Sequence, residues 1–254
     1  MTRITIKVGS NVLTRDDGSL DVTRMSALVD QIAWMRKKDI EVILVSSGAV
    51  ASGRSELHLH KEMSEVNERQ LYSAVGQAKL INRYYEMFRD HKIAVGQVLT
   101  MKENFSRPDH FQTQQNCMMV MLDNNVLPIV NENDTVSVTE LMFTDNDELA
   151  GLVTEMMHSE ALIILSNIDG IYDGDPSLPQ SHLIGKVGSN DDISKYVQKK
   201  KSSAGRGGMH TKSSIAQQLA AKGISVIIAN GKRENILINL IENKDNTPHT
   251  EFVE

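Results

Sequence analysis

The sequence predicts an α/β fold, a three-layer α/β/α sandwich around a mainly parallel central sheet. Short apolar runs with strand character recur along the chain, each separated from the next by a segment of helical periodicity. Val42 to Val45 is apolar at every position, as a parallel strand covered on both faces must be. Strand, small-residue loop and helix then repeat in that order, the pattern of a parallel sheet with helices on both faces.

Ile4, Ile6 and Val8 alternate with Thr5 and Lys7, giving a first strand with Lys7 near its carboxyl end, after which Gly9-Ser10-Asn11 turns the chain. Asp21 caps a helix whose apolar face carries Met25, Leu28, Val29, Ile32 and Ala33 and which ends near Lys38. The strand at Val42 opens into Ser46-Ser47-Gly48-Ala49 and another helix. A long helix with Leu71, Ala74, Val75, Ala78, Ile81 and Tyr85 on one face ends near His91, and Ala94 to Leu99 forms the third strand. Pro108 suits the first turn of a helix reaching about Asp123. Val126 to Val130 is the next strand, followed by a helix from about Glu148 to His158 and the strand Ala161 to Leu165. Lys199 to Gly208 reads as a basic, glycine-rich loop before a helix that takes in Lys212, Ile215, Leu219 and Ala220 and stops at Gly223. Val226 to Ala229 and Ile236 to Ile241 supply one more strand and one more helix.

Composition narrows the function. The 254 residues carry 33 acidic against 27 basic side chains, a formal charge of -6 that opposes attraction to nucleic acid or an anionic membrane. Aromatics make up only 4%, which leaves no stacking platform for bases. The single cysteine, Cys117, excludes an internal disulfide, fits a reducing compartment and reads as a small apolar residue on a helix rather than a nucleophile. No signal-peptide core and no membrane-spanning run are visible, so the expectation is a soluble cytoplasmic protein with neither membrane nor nucleic-acid partners.

Two polar knots are candidate ligand-holding groups. Asn131-Glu132-Asn133-Asp134 follows an apolar strand, where an open α/β sheet presents its ligand crevice, and Asp145-Asn146-Asp147-Glu148 comes soon after. The alternative is local: Asp145 or Asn146 caps a helix and Asn131 to Asp134 is a turn. Asp134, Asp145 and Asp147 offer oxygens to a hard cation, which leaves metal open without assigning a protein metal site. Lys7 stands at a strand end beside Gly9, and Lys212 at a helix start after Gly207-Gly208, where amides and the helix dipole favour phosphate. Neither G-x-x-x-x-G-K-[ST] nor G-x-G-x-x-G occurs, so neither common nucleotide-binding motif applies.

Together these segments match a known pattern. Lys7-Val8-Gly9-Ser10, Ser46 to Arg54, Ala74-Val75-Gly76-Gln77, Leu122-Asp123-Asn124-Asn125, Asn131 to Asp134 and Gly207-Gly208-Met209 resemble the amino acid kinase family. The run Asn131 to Asp134 with Asp145-Asn146-Asp147 resembles its glutamate-phosphorylating branch, which makes γ-glutamyl 5-phosphate from L-glutamate and ATP as the first step of proline biosynthesis. The resemblance implies one kinase domain over 1–254, with an amino-acid half to about 146 and a nucleotide half from about 147. Many members of that branch carry a further PUA domain that resembles RNA-binding modules; this chain is read as a form without one.

By the same resemblance Lys7 and Lys212 stabilise the phosphoryl group in flight and Asp147 holds both ammonium groups. Gly9, Ser47, Gly48, Asp134 and Asn146 hold the acceptor, Asp134 taking its α-amino group. Lys7, Ser166, Asn167, Arg206, Gly207, Gly208, Met209, His210, Thr211 and Lys212 hold the nucleotide, with Mg²⁺ carried mainly on the ATP phosphates. Relatives often have Thr-Asp at Ser166-Asn167 and Ser at His210. The resemblance further implies a homo-oligomer, a dimer or tetramer, and feedback inhibition by proline. Rival readings are an acetylglutamate or carbamate kinase with the same lysines and another acceptor pocket, or a non-catalytic nucleotide-binding regulator of the same fold.

Overall fold

The computed structural model describes residues 2–57, 62–137, 143, 145–196 and 208–254. In chain order these form β1 (Arg3–Val8), α1 (Ser10–Leu13), α2 (Val22–Lys37), β2 (Glu41–Ser46), α3 (Ala49–Glu56), α4 (Glu65–Asp90), β3 (Val95–Thr100), α5 (Glu103–Ser106), α6 (Pro108–Asp123) and β4 (Leu127–Glu132). There follow α7 (Asn146–Met156), β5 (Ala161–Ser166), β6 (Ile171–Tyr172), β7 (Leu183–Ile184), β8 (Lys186–Gly188), α8 (Met209–Ala220), β9 (Ser225–Asn230), α9 (Ile236–Glu242) and β10 (His249–Val253).

Eight strands make one sheet in the order β3-β4-β2-β1-β5-β9-β10-β8. The six from β3 to β9 run parallel, whereas β10 pairs antiparallel with β9 and β8 runs parallel to β10. β6 and β7 form a separate small hairpin. Each central strand sends alternate side chains to opposite faces. Val42 and Leu44 of β2 pack with α2, α4 and α9, while Ile43 and Val45 pack with α6, α7 and α8. These two cores are the two seams of a three-layer α/β/α sandwich, as the continuous apolar run at β2 requires.

β1 lies at the centre of the sheet, so even its Thr5 and Lys7 are buried. Thr5 is satisfied by the Ser159 hydroxyl at 2.9 Å, and Lys7 is carried into the middle of the carboxyl edge. The strand order turns outward on either side of β1, toward β2 and toward β5, and a crevice opens at that switch point.

Asp21 caps α2 through the Arg24 amide at 3.0 Å, and Met25, Leu28, Val29, Ile32 and Ala33 are buried as read. The face of α4 differs from its expectation. Leu71 is 36% exposed and Tyr85 51%, and the buried side is instead Tyr72, Ser73, Gly76, Gln77, Leu80, Tyr84 and Phe88. The cause is the approach of α3: a Cβ on Gly76 would sit 1.8 Å from the Ala49 carbonyl oxygen, and one on Gly53 would sit 1.9 Å from that of Tyr72. Backbone meets backbone at that crossing, so small residues mark the inward face there, while Leu80, Tyr84 and Phe88 fill it farther along the helix. Cys117 lies on α6 as read, but its side chain is exposed.

Candidate active site

α7 supplies the centre. Asp145 is its N-cap, one carboxylate oxygen accepting from the amides of Asp147 at 2.9 Å and Glu148 at 3.0 Å. That cap fixes the first turn and aims Asp147, which is fully buried, at two cations from different parts of the chain. Lys7 Nζ, from the end of β1, lies 2.7 Å from Asp147 Oδ1, and Lys212 Nζ, from the first turns of α8, lies 2.8 Å from Oδ2. The local reading holds for Asp145, which caps the helix, while Asp147 stands between the two lysines.

Burial pushes the Asp147 carboxyl up, but the ammonium groups of Lys7 and Lys212 outweigh it and hold the carboxyl below its usual range. Asp145 moves the other way. Burial, then the charge of Asp147, raises it, and its second oxygen is buried without a hydrogen-bond partner among the described residues.

A cavity of about 1010 Å³ opens over this triad along the carboxyl edge of the sheet. On the β2 side, Gly48 adopts φ +107° ahead of α3, a conformation that favours glycine, and the Ser47 amide bonds back to the Val8 carbonyl at 3.1 Å. A Cβ on Gly9 would crowd the Leu165 carbonyl oxygen at 3.2 Å and would meet Lys7 Nζ at 3.5 Å, an ordinary van der Waals contact. Asn146 donates to Ser47 Oγ and to Asn131 Oδ1, each at 3.0 Å, and Asn131 donates to Gln77 at 2.8 Å. This chain of amides ties α7, β2, β4 and α4 into one wall.

Lys7, Gly9, Ser47, Gly48, Asp134, Asn146 and Asp147 all line this one cavity, as do Ser166, Asn167, Gly208, Met209 and Lys212. His210 and Thr211 do not line it, and His210 is exposed. At about 100° per residue, Met209 and Lys212 share a face of α8 from which the two residues between them turn away. Arg206 and Gly207, with most of the glycine-rich loop, lie outside the described residues.

The structure adds Arg69 of α4. Its guanidinium donates to Asp134 Oδ1 through Nε at 3.1 Å and through Nη2, and Nη2 stands 3.7 Å from Glu132 Oε2. Asp134 is therefore already held by a cation. Nothing in the periodicity of α4 marks Arg69, because a surface arginine on a long helix looks the same. On the opposite side Lys232 lines the cavity, and Arg233 clamps Asp169 with two bonds of 2.6 and 2.8 Å beside the Tyr172 hydroxyl.

The model of the amino acid kinase family matches residues 2–230. The chain belongs to that family. Among family members it is 66% identical to the glutamate 5-kinase of Bacteroides thetaiotaomicron over 252 residues, which cover 99% of this chain and 70% of that protein. It is 43% identical to the glutamate 5-kinase of Chlorobaculum tepidum, covering 92% of this chain but only 65% of that one. With the glutamate 5-kinase of Symbiobacterium thermophilum the identity is 39%, covering 96% and 93%. The family fold recurs in solved structures of lower identity. Carbamate kinase from Giardia lamblia bound to AMP-PNP superposes with a TM-score of 0.69 at 15% identity, covering 100% of this chain and 98% of that one. UMP kinase from Ureaplasma parvum gives 0.64 at 16%, covering 100% and 99%.

Proposed function

We propose that this chain transfers the γ-phosphoryl group of ATP to the side-chain carboxylate of L-glutamate, giving γ-glutamyl 5-phosphate and ADP, the first step of proline biosynthesis. The observation that carries the proposal is Asp147 held between Lys7 and Lys212 at the floor of the cavity. Similarity to glutamate 5-kinases supports the choice of acceptor.

A glutamate side chain with a pKa of about 4.3 is already ionised at neutral pH and needs no general base. The barrier is electrostatic, an anion approaching a polyphosphate. One carboxylate oxygen forms a bond to Pγ while the bond from Pγ to the β,γ-bridging oxygen breaks, and negative charge spreads over the equatorial oxygens in flight. Lys7 stands on the acceptor side and Lys212 on the nucleotide side. Fixed by one buried carboxylate, both ammonium groups meet that charge without having to reorganise. Asp147 gives one oxygen to each lysine, so the pocket suits a Mg²⁺ held chiefly by ATP phosphate oxygens, with Asp145 nearby. When bound, the ion supplies further charge neutralisation on the phosphates.

Gly9, Ser47, Gly48, Asn146 and Asp134 face the acceptor, Asp134 the α-amino group. Ser166, Asn167, Gly208 and Met209 face the nucleotide. Proline, which resembles glutamate closed into a ring, competes near Asp134 as a feedback inhibitor. The active form is a cytoplasmic homo-oligomer, a dimer or tetramer. No described helix is long and apolar enough to cross a membrane.

Asp134 separates this reading from an acetylglutamate kinase, since an acetylated amine does not call for a carboxylate. With the acyl phosphate trapped as its hydroxamate, Asp134→Ala raises the glutamate KM at least tenfold, about what one charge-assisted hydrogen bond is worth, and leaves the ATP KM near wild type. Equal effects on both substrates contradict the assignment.

A further inference from the structure

Among the described residues six lysine or arginine side chains line the cavity, and five of them stand within ion-pair reach of a carboxylate. Lys7 and Lys212 share Asp147, Arg69 holds Asp134, Arg54 lies 3.5 Å from Glu68 and Arg15 4.0 Å from Asp21. Lys232 is the sixth, and among the described residues it forms no ion pair.

The sheet fixes its place. β5 and β9 are neighbours, paired to their last residues, Ser166 with Asn230. The Gly231 amide extends that pairing by one step, donating to the Ser166 carbonyl at 2.8 Å. A Cβ on Gly231 would fall 2.7 Å from Val12 Cγ1 and 3.0 Å from Leu165 Cβ, so this strand end lies hard against α1, the short helix that follows Gly9. Asn230 then closes a turn, its side chain accepting from the Lys232 amide at 3.0 Å and its carbonyl from the Arg233 amide at 3.1 Å. The two cations of the turn part there. Arg233 is clamped by Asp169, and neither of that pair lines the cavity, whereas Lys232 does.

We propose that Lys232 binds the phosphates that remain on the leaving ADP, as a charge contact to the nucleotide separate from the pair of lysines on Asp147. The inference rests on the reading of this cavity as the nucleotide site of a glutamate kinase.

Lys7 and Lys212 converge on Asp147, which marks where the transferred phosphoryl group passes. Lys232 is not tied to that carboxylate and follows the strand end paired with Ser166, on the nucleotide side. The acceptor's carboxylates are the other anions the cavity receives, but they belong with Ser47 and Gly48 at the end of β2. In the order β2-β1-β5-β9 that is three strand spacings away, roughly 14 Å at about 4.8 Å each. The diphosphate is the nearer anion. A lysine already paired must leave its carboxylate to meet a phosphate, whereas an unpaired ammonium group on a flexible stem turns to phosphate oxygens at no such cost.

Lys232→Gln keeps most of the stem and removes the charge. Calorimetry with Mg²⁺ present measures the Kd of ADP and of adenosine, which lacks phosphate, and hydroxamate kinetics give the KM of ATP and of glutamate. The expected result is about a tenfold rise in the ADP Kd and the ATP KM, with the adenosine Kd and glutamate KM within about twofold of wild type. Lys232→Arg keeps the charge and holds the ADP Kd within about threefold of wild type. Lys232 is exposed, so neither substitution should move the thermal midpoint measured without nucleotide.

An unchanged ADP Kd overturns the inference. So does an equal rise for adenosine, which places the contact on base or ribose, and so does a rise in the ATP KM without one for ADP, which places it on the transferred group. A rise confined to glutamate places Lys232 on the acceptor and overturns it as well. Wild-type protein that binds ADP but forms no hydroxamate from glutamate overturns the reading of the acceptor instead, and the ADP and adenosine comparison still decides the role of Lys232.

Discussion

Replacing Asp147 by Asn removes the charge that organises the site while keeping its shape. The carboxylate lies 2.7 Å from one ammonium and 2.8 Å from the other, with essentially no exposure. At an effective dielectric of about 20, opposite charges some 4 Å apart attract by about 4 kcal/mol, so each contact is large before desolvation is counted. Removing one partner of a buried pair costs about 3–5 kcal/mol of stability, and here two cations are left facing each other. Loss of a single preorganised charge donor lowers kcat by about 10²–10³, and displacement of both lysines puts the expected fall at 10³ or more. The triphosphate, however, brings its own negative charge to the orphaned lysines. Nucleotide should therefore raise the thermal midpoint of Asp147→Asn more than that of wild type. Steady-state hydroxamate kinetics and thermal unfolding with and without Mg-ATP measure both effects. A kcat within about tenfold of wild type, or weaker stabilisation by nucleotide, refutes the reasoning. Because the folded-state pKa of Asp147 is depressed, its stabilising contribution is present above the unfolded value near 3.9 and lost as pH falls through the lower folded value. The stability gap between wild type and variant should close only below about pH 4.

Further outcomes follow from the same geometry. Asp145 has a raised folded-state pKa, so its ionisation opposes folding: stability is fully present below the unfolded value and lost as pH rises through the folded one. Asp145→Asn, which still caps α7, should gain stability relative to wild type as pH rises above the unfolded value near 3.9 in urea unfolding, and a gap that is constant with pH counts against this. Gly76→Ala places a methyl group 1.8 Å from the Ala49 carbonyl oxygen and should cost roughly 3 kcal/mol or more in urea unfolding, because backbone cannot yield as a side chain does. Since α3 carries the Gly48 turn, the glutamate KM should rise with it while the ATP KM stays closer to wild type.

Most of the layer order was readable because central parallel strands leave the strongest signal, a run apolar on both faces. β10 and β8, which close one end of the sheet, were not foreseen. Ser225 to Asn230 reads as a strand at sight, whereas His249 to Val253 alternates with polar residues and has only three strand residues of β8 beside it. The face of α4 was misread because Ser73, Gly76 and Gln77 carry no hydropathy, although the contact with α3 depends on their small or polar character. In the site, Lys7, Asp147 and Lys212 were legible from their places at strand and helix ends. Arg69 was not, since its importance lies in a partner 65 residues away. The resemblance sets His210 and Thr211 in one nucleotide-facing run with Lys212, but adjacency along a helix is not adjacency in space, and neither residue lines the cavity.

The reaction is defined by which carboxylate receives the phosphoryl group. The most direct test is hydroxamate formation with Mg-ATP and, in separate reactions, L-glutamate, N-acetylglutamate, aspartate and carbamate. Hydroxamate from glutamate alone is the expected result. Product from another acceptor in its place, or ATP binding without product from any, contradicts it.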